Sequence, residues 1–424
     1  MLSLDTVIYP ETALVSQKLY KSPVNDIKSE LESAFSTISF SGKIKPGETV
    51  AVAVGSRGID KIDSVVYSCA RFLENLGLKP FIIPAMGSHG GANAEGQKNI
   101  LEKLKISEGA IGIPVCPDME TDSIGKLSCG LDINFSKKAL SANHIVIINR
   151  IKPHTKFTAD IESGLCKMLA IGLGKEKGAS AFHNFAVQHG FGIIEETADY
   201  IINKLNILFG IALIEDGYGN LSKIEVIQPH NIISREKELL IQARNMMGSI
   251  AFDFLDLLII DFFGKDISGI GMDSNITGRH RDIVGDFYTS PHAKRIFVRD
   301  FSPGSDGNGN GIGLADITTT RLVNSLDMNK TYTNAIAAIS PEKAAIPIHF
   351  GTDRKCLEVC AKTLGLESLQ DCRIVRIRDT KHLDLIQVSK ALEEEIESNP
   401  DLKRVSDWEP FKFDGNDNLV SLSH

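Results

Sequence analysis

The chain of 424 residues is 42% hydrophobic, too long for one ordinary core and apolar enough to fold, so two domains are expected. Its 54 acidic residues outnumber 46 basic ones, a net charge of −8 that disfavours a binder of the phosphate backbone, so no nucleic-acid partner is expected. The seven cysteines are scattered and none forms a CxxC pair, a usage that fits reduced thiols in a cytoplasmic protein rather than a zinc or disulfide framework.

The opening stretch MLSLDTVIYPETALVSQKLY lacks a basic start followed by an apolar segment, and no apolar run is as long as a membrane span. Neither export nor a membrane partner is expected. Further on, TVAVAVGSRG, SVVYSCARFLENLGL, KPFIIPAMGSHGG and EGQKNILEKLKI alternate short apolar runs with longer amphipathic ones. That order reads strand, loop, helix, strand, loop, helix, an α/β domain with a mainly parallel sheet.

In open α/β sheets ligands bind outside the carboxyl ends of the strands. GSRG (Gly55 to Gly58) and GSHGG (Gly87 to Gly91) fall there, and the apolar run ANHIVIINRIKPH delivers His154 to a third such exit. The segment LNILFGIALIEDGYGNLSKIEVIQP reads as two strands joined through Gly217 to Asn220.

After a helical stretch, SREKELLIQARNMMGSIAF, the strand LDLLIIDFFGKD opens a second region. The domains are expected to be 1–250, carrying the candidate site, and 251–400, with a tail, 401–424, packed back on the first domain. SPGSDGNGNGIG reads as a long surface loop, and LDLIQVSKALEEEIES as a final helix.

The two glycine-rich loops fit anion sites made of backbone N–H groups, contributed by Ser56, Gly87 and Ser88 among others; they fit plain strand-to-helix turns as well. The residues beside them carry more information. A guanidinium, Arg57, holds a carboxylate in a planar fork, while His89 and His154 move protons near neutral pH. One arginine and two histidines at neighbouring strand exits suit a small acid with an ionisable hydroxyl or α-proton.

The stretch ESGLCKMLAIGLGKEKGASAFHNFAVQHG adds two more candidates. Lys167 lies among Leu165, Cys166, Met168 and Leu169; a desolvated amine there is a nucleophile able to take a covalent group, and a snorkelling lysine gives the same local pattern. Lys175 and Lys177 read as phosphate or solvent contacts. His183 has no HxxxH partner or nearby Cys and Asp/Glu set, so a metal at this residue needs most of its ligands from something other than the chain.

These residues resemble the nickel-pincer-nucleotide lactate racemases, most closely from about Ala51 to Asn184. PHTKFTADIESGLCK is similar to the family's proline-histidine, glycine-rich loop and tether lysine, with three residues inserted, and KMLAIGLGKEKGASAFHN runs without a gap to the family's nickel ligand. The resemblance implies two α/β domains with mainly parallel sheets and an active site in the cleft between them. It implies a pyridinium-3-thioamide-5-thiocarboxylic acid mononucleotide bearing nickel, tethered covalently at Lys167, with His183 as the protein's metal ligand and Ser56, Gly87, Ser88 and Lys175 as further cofactor contacts. His89 and His154 would be the paired acid and base and Arg57 the carboxylate clamp. The activity implied is racemisation or epimerisation of a 2-hydroxy acid, lactate-like or larger, through a 2-keto acid, with cofactor-synthesis enzymes as maturation partners.

In the second domain GKDISGIGMDSNITGRHRD departs from the lactate enzymes, and Lys265, Asn275, Arg279, His280 and Arg281 are the candidates for substrate contact there. Two other readings remain. A nicotinamide-dependent hydroxy-acid oxidoreductase would carry a dinucleotide fingerprint, which the sequence lacks. A non-catalytic nucleotide- or metal-binding protein would have no reason to keep Arg57, His89, His154, Lys167 and His183 together.

Overall fold

The computed structural model describes residues 7–40, 42–56 and 58–422. The chain divides into two units: an N-terminal one of Lys21–His154 and Thr158–Met247, and a C-terminal one that takes residues 7–20, Thr155–Phe157 and 248–422. Strand β1 (Glu11–Gln17), first in the described chain, thus belongs to the C-terminal unit.

The N-terminal unit is built on strands β2 (Thr49–Val54) and β3 (Lys79–Pro84), a small antiparallel hairpin β4 (Thr121–Lys126) and β5 (Asp132–Ser136), and strands β6 (His144–Arg150), β7 (Ile207–Glu215) and β8 (Leu221–Ile227). Its main sheet runs β3-β2-β6-β7-β8, parallel except for the last pair. Val50 to Val54 are at most 1% exposed, which explains why this run is alanine or valine throughout: helices cover both faces of a central parallel strand. Helices α1 (Ile27–Ser36), α2 (Ile62–Asn75), α3 (Ala94–Lys103), α4 (Lys175–His189), α5 (Ile193–Lys204) and α6 (Ile232–Met246) complete the unit. The expected turn between β7 and β8 is set by Asp216, whose carboxylate accepts the N–H groups of Tyr218 and Asn220, with Gly219 at φ +79°.

The C-terminal unit contains β9 (Phe254–Phe263), the short pair β10 (Arg279–His280) and β11 (Phe287–Tyr288), β12 (His292–Phe301), β13 (Ile317–Thr319), β14 (Ile348–Phe350), β15 (Ile374–Ile377), β16 (Leu385–Ser389), β17 (Leu402–Arg404) and β18 (Glu409–Pro410). Its sheet runs β14-β13-β12-β9-β15-β16-β1-β17, parallel from β14 to β15 and antiparallel beyond, with β18 also on β1. The class is therefore α/β with mainly parallel strands at both sheet centres.

Two features of this unit, in LDLIQVSKALEEEIES and SPGSDGNGNGIG, differ from the sequence expectations. LDLIQVSKALEEEIES is not one helix: Ile386 and Val388 are buried while Leu385 and Gln387 are less so, a period of two that makes β16, and helix is confined to the 3-10 turn Lys390–Leu392 and the α-helix Glu393–Ser398. The tail pairs with β1, within the same unit, and the guanidiniums of Arg299 and Arg376 hold the carbonyls of Leu419 and Val420 at 2.6 and 2.8 Å. SPGSDGNGNGIG is half interior: a Cβ on Gly311, at φ +115°, would stand 1.8 Å from the carbonyl oxygen of Ile270. Among the described residues no helix is long and apolar enough to cross a membrane.

Candidate active site at the carboxyl edge of the first sheet

The register of the N-terminal sheet aligns three strand exits. Val54 stands opposite Pro84 on one side and Ile148 on the other, so Gly55, Ala85 and Asn149 leave the sheet at one level. Asn149 Oδ1 lies 3.3 Å from the point where Gly55 would carry a Cβ, and the N–H of Ala85 donates to the carbonyl of Val54 at 2.8 Å. Arg57, the expected carboxylate clamp in the first of these loops, lies outside the described residues.

Ser56, one residue past Gly55, meets the second loop. Its Oγ is 2.5 Å from Nδ1 of His89, which stands exposed at the tip of GSHGG. The loop that carries His89 is rigidly seated. Buried Gln97 donates to the carbonyls of Gly87 and His89 at 2.9 and 3.3 Å, and Gly90, at φ +68°, approaches the backbone of Gly96 and Gln97 so closely that a Cβ would lie 2.6 Å away. Ser88 is exposed and its carbonyl accepts the N–H of Ala92 at 3.1 Å.

From the third exit the chain runs through His154 and returns along Ser163, which pairs with Lys152. The buried carboxylate of Glu162 closes this excursion, accepting the N–H groups of His154 at 2.5 Å and Ala159 at 2.9 Å and an ion pair from Arg244. Burial raises the Glu162 carboxyl above its ordinary range against the pull of these donors.

Lys167 then appears on a short helical turn, Leu165–Lys167, that runs on as a π-turn, Met168–Gly172. Such wide turns recur at functional positions. Leu165, Cys166, Met168 and Leu169 are at most 3% exposed while Lys167 is half-buried, so the turn is anchored by its neighbours and the lysine leaves the core. The methyl of Met168 sits 3.4 Å from the Cβ position of Gly55, and Gly172 gives its carbonyl to the N–H of Gly87 at 3.1 Å. The lysine-bearing turn therefore packs directly on both glycine-rich loops.

Helix α4 follows, and its Ala179 touches Gly87, whose Cβ position lies 3.2 Å from the alanine methyl. His183 is one turn further along the same face. Gly87, at φ +56°, is glycine both for that backbone conformation and for this contact.

Lys175, expected as a cofactor contact, opens helix α4. It is 1% exposed, at φ 54°, and its ammonium donates to the carbonyl of Pro84 at 2.6 Å; burial pulls its pKa down to about 8. Its charge is turned to the end of β3. Lys177 is exposed, and His189 stacks on Phe185 at 5.5 Å.

In the C-terminal unit, Lys265 donates to the Gly269 carbonyl and Asn334 Oδ1, both at 2.5 Å, and Asn275 donates to Asp273 at 3.0 Å. Arg279 binds Asp316 at 2.7 Å and the Ala293 carbonyl at 2.8 Å; Arg281 is exposed. His280 is fully buried, stacked on Phe287, and its pKa falls to about 3 through burial and the nearby Lys343. Trp408 donates to Glu393 at 2.9 Å.

Two residues that the sequence reading passed over emerge as supports, Glu162 and Glu236. Each is a carboxylate buried next to a candidate residue's backbone. A charged residue inside an apolar helical stripe was the available signal for Glu236, which lies four residues after Ile232 and three before Leu239, both buried.

Known proteins bear on this arrangement. Residues 7–191 match the model of the lactate racemase N-terminal domain. No curated protein matches the chain. Among solved structures, a protein from Thermotoga maritima is similar over 86% of this chain and 99% of its own at 15% identity and a TM-score of 0.53. The lactate racemase apoprotein from Thermoanaerobacterium thermosaccharolyticum is similar over 91% of this chain and 92% of its own, at 14% identity and a TM-score of 0.49. The Thermotoga structure shows a common fold. Over residues 7–191 the chain is similar to the lactate racemase N-terminal domain.

Proposed function

We propose that the protein is a racemase or epimerase of a 2-hydroxy acid, lactate-like or larger, that works with a nickel-pincer nucleotide attached at Lys167. The observation that carries this reading is the packing of the Lys167 turn on both glycine-rich loops, with Met168 against Gly55 and Gly172 bonded to Gly87. A group held by Lys167 would then lie at the strand ends that bear Ser56, His89 and His154.

The donor set fits such a group. Among the described residues no three His, Cys, Asp or Glu side chains gather around a metal position. His183 can ligate nickel only beside donors brought by a ligand, and a pincer nucleotide brings three. When bound, it supplies a reversible acceptor for the C2 hydride of the substrate.

The chain's own residues supply the proton chemistry. One of His89 and His154 takes the hydroxyl proton and the other returns one on the opposite side, which inverts the carbon that passed through the 2-keto form. Ser56 holds the His89 ring by its Nδ1. Glu162 fixes the backbone of His154. Arg57 would grip the carboxylate through its guanidinium fork.

Protein matured alongside the cofactor-synthesis enzymes, incubated with single enantiomers of 2-hydroxy acids and read by chiral chromatography, tests the activity. Interconversion of one acid, lost in His89→Ala and His154→Ala, is the expected result. A matured, nickel-bearing protein that interconverts none of them, lactate and larger 2-hydroxy acids included, rejects it.

A further inference from the structure

Glu236 lies in the middle of the apolar face of α6 and is 1% exposed. A carboxyl in such a place is costly unless donors meet it. Here they come from one short segment. Its Oε2 accepts the N–H of Cys166 at 2.9 Å, and the N–H of Leu165 and the thiol of Cys166 also bear on it. Its Oε1 is buried with no hydrogen-bond partner among the described residues.

Those amides are the first of the turn that carries Lys167, the ones no carbonyl within the turn can satisfy. In most helices the residue just before the turn caps them with its own side chain. Here that residue is Gly164, which has none. A Cβ on Gly164 would stand 2.1 Å from Glu236 Oε1, so the glycine and the carboxylate occupy complementary space. Asn149, on β6, holds the same glycine from the other side by donating to its carbonyl at 2.7 Å.

We propose that Glu236 is the positioning residue for Lys167: from α6 it supplies the cap that residue 164 cannot, and so fixes the path on which the lysine amine leaves its turn. This deepens the reading of Lys167 as the attachment point and rests on it. The cap is also titratable. Burial raises the Glu236 carboxyl to about 7, and the groups around it are the Cys166 thiol, itself pushed well up by burial and by Glu236, and the Glu195–Lys237 ion pair at 2.8 Å. A carboxylate accepts an N–H more strongly than a carboxylic acid does, so the cap tightens as pH rises through that value.

The test uses the full chain without cofactor, the variants Glu236→Gln and Glu236→Ala, and two readings from about pH 6 to about pH 8. One is hydrogen exchange of the Leu165–Cys166 amides, corrected for intrinsic rate; the other is competitive acetylation of Lys167, both read by peptide mass spectrometry. In the parent chain protection should rise, and Lys167 acetylation change with it, through about pH 7. Glu236→Gln, which keeps an acceptor but does not titrate, should retain protection and lose the pH dependence; Glu236→Ala should lose about tenfold or more in protection at every pH. A folded Glu236→Ala with unchanged protection and acetylation overturns the proposal, as does a parent-like pH dependence in Glu236→Gln. Where Glu236→Ala fails to fold, the parent chain and Glu236→Gln decide by the same pattern. These readings concern the bare amine, so a missing cofactor adduct on Lys167 with the cap pattern intact rejects the attachment alone.

Discussion

The carboxylate of Glu162 and the backbone N–H of His154 are 2.5 Å apart, eight residues separated in sequence and joined across one excursion of the chain. The bond fixes the main chain of a candidate acid–base residue. Because the same carboxylate also takes the Ala159 N–H and pairs with Arg244, removing it strands three donors at once.

Glu162→Ala should therefore destabilise the chain by about 3 kcal/mol, since breaking a buried ion pair leaves its partners unsatisfied. Glu162→Gln should lose less, because the amide oxygen still accepts an N–H. Urea unfolding of the three proteins checks the order, and a Glu162→Ala within measurement error of the parent would show that the carboxylate holds nothing.

Gly164→Ala forces a methyl to within 2.1 Å of Glu236 Oε1 and 2.7 Å of the Ile151 side chain. The expected cost is about 2 kcal/mol or more. Since the nearest clash is with one side chain, Glu236→Ala in the same chain should recover part of it, a coupling that a double-mutant cycle measures. Simple additivity would mean that the two residues do not compete for space.

Ser56→Ala removes the group 2.5 Å from His89 Nδ1. With the ring no longer oriented, kcat on the matured enzyme should fall roughly tenfold with KM little changed, the pattern of a lost orienting contact. A rise in KM alone would place Ser56 on substrate binding instead.

Lys175 gives a signed dependence on pH. Burial lowers its pKa to about 8 from the ordinary 10.5, so the unfolded chain binds this proton more tightly than the native one. The stability linked to this group is complete above 10.5 and is lost as pH falls to about 8. Parent stability should thus gain a rising component across that window, and Lys175→Met should lack it. Equal slopes in the two proteins, measured by urea unfolding, would count against a buried ammonium on Pro84.

The strand exits were legible because parallel central strands bury both faces: VAVAV and IVII can be apolar at every position, and the residues that end such runs are bound to reach the carboxyl edge. Ser56, His89 and the Lys167 turn follow from that geometry. The supports were less legible. Glu162 and Glu236 act through bonds to backbone that is distant in sequence or across a turn, and in SREKELLIQAR the apolar spacing that marks Glu236 is masked by its charged neighbours. The apolar neighbours of Lys167 marked it as partly desolvated, and it is half-buried, whereas nothing around Lys175, between glycine and glutamate, signalled its full enclosure. For Leu385–Ser389 the short apolar run fitted either period, and only pairing with β1 and β15 made it a strand.

The most direct test of the central claim is the mass of the Lys167 peptide from protein made together with the cofactor-synthesis enzymes, with nickel assayed on the same sample. The account predicts a nucleotide adduct on Lys167 with nickel in equal amount, and in His183→Ala the adduct without the nickel. An unmodified Lys167 in that preparation, or nickel retained by His183→Ala, would contradict it.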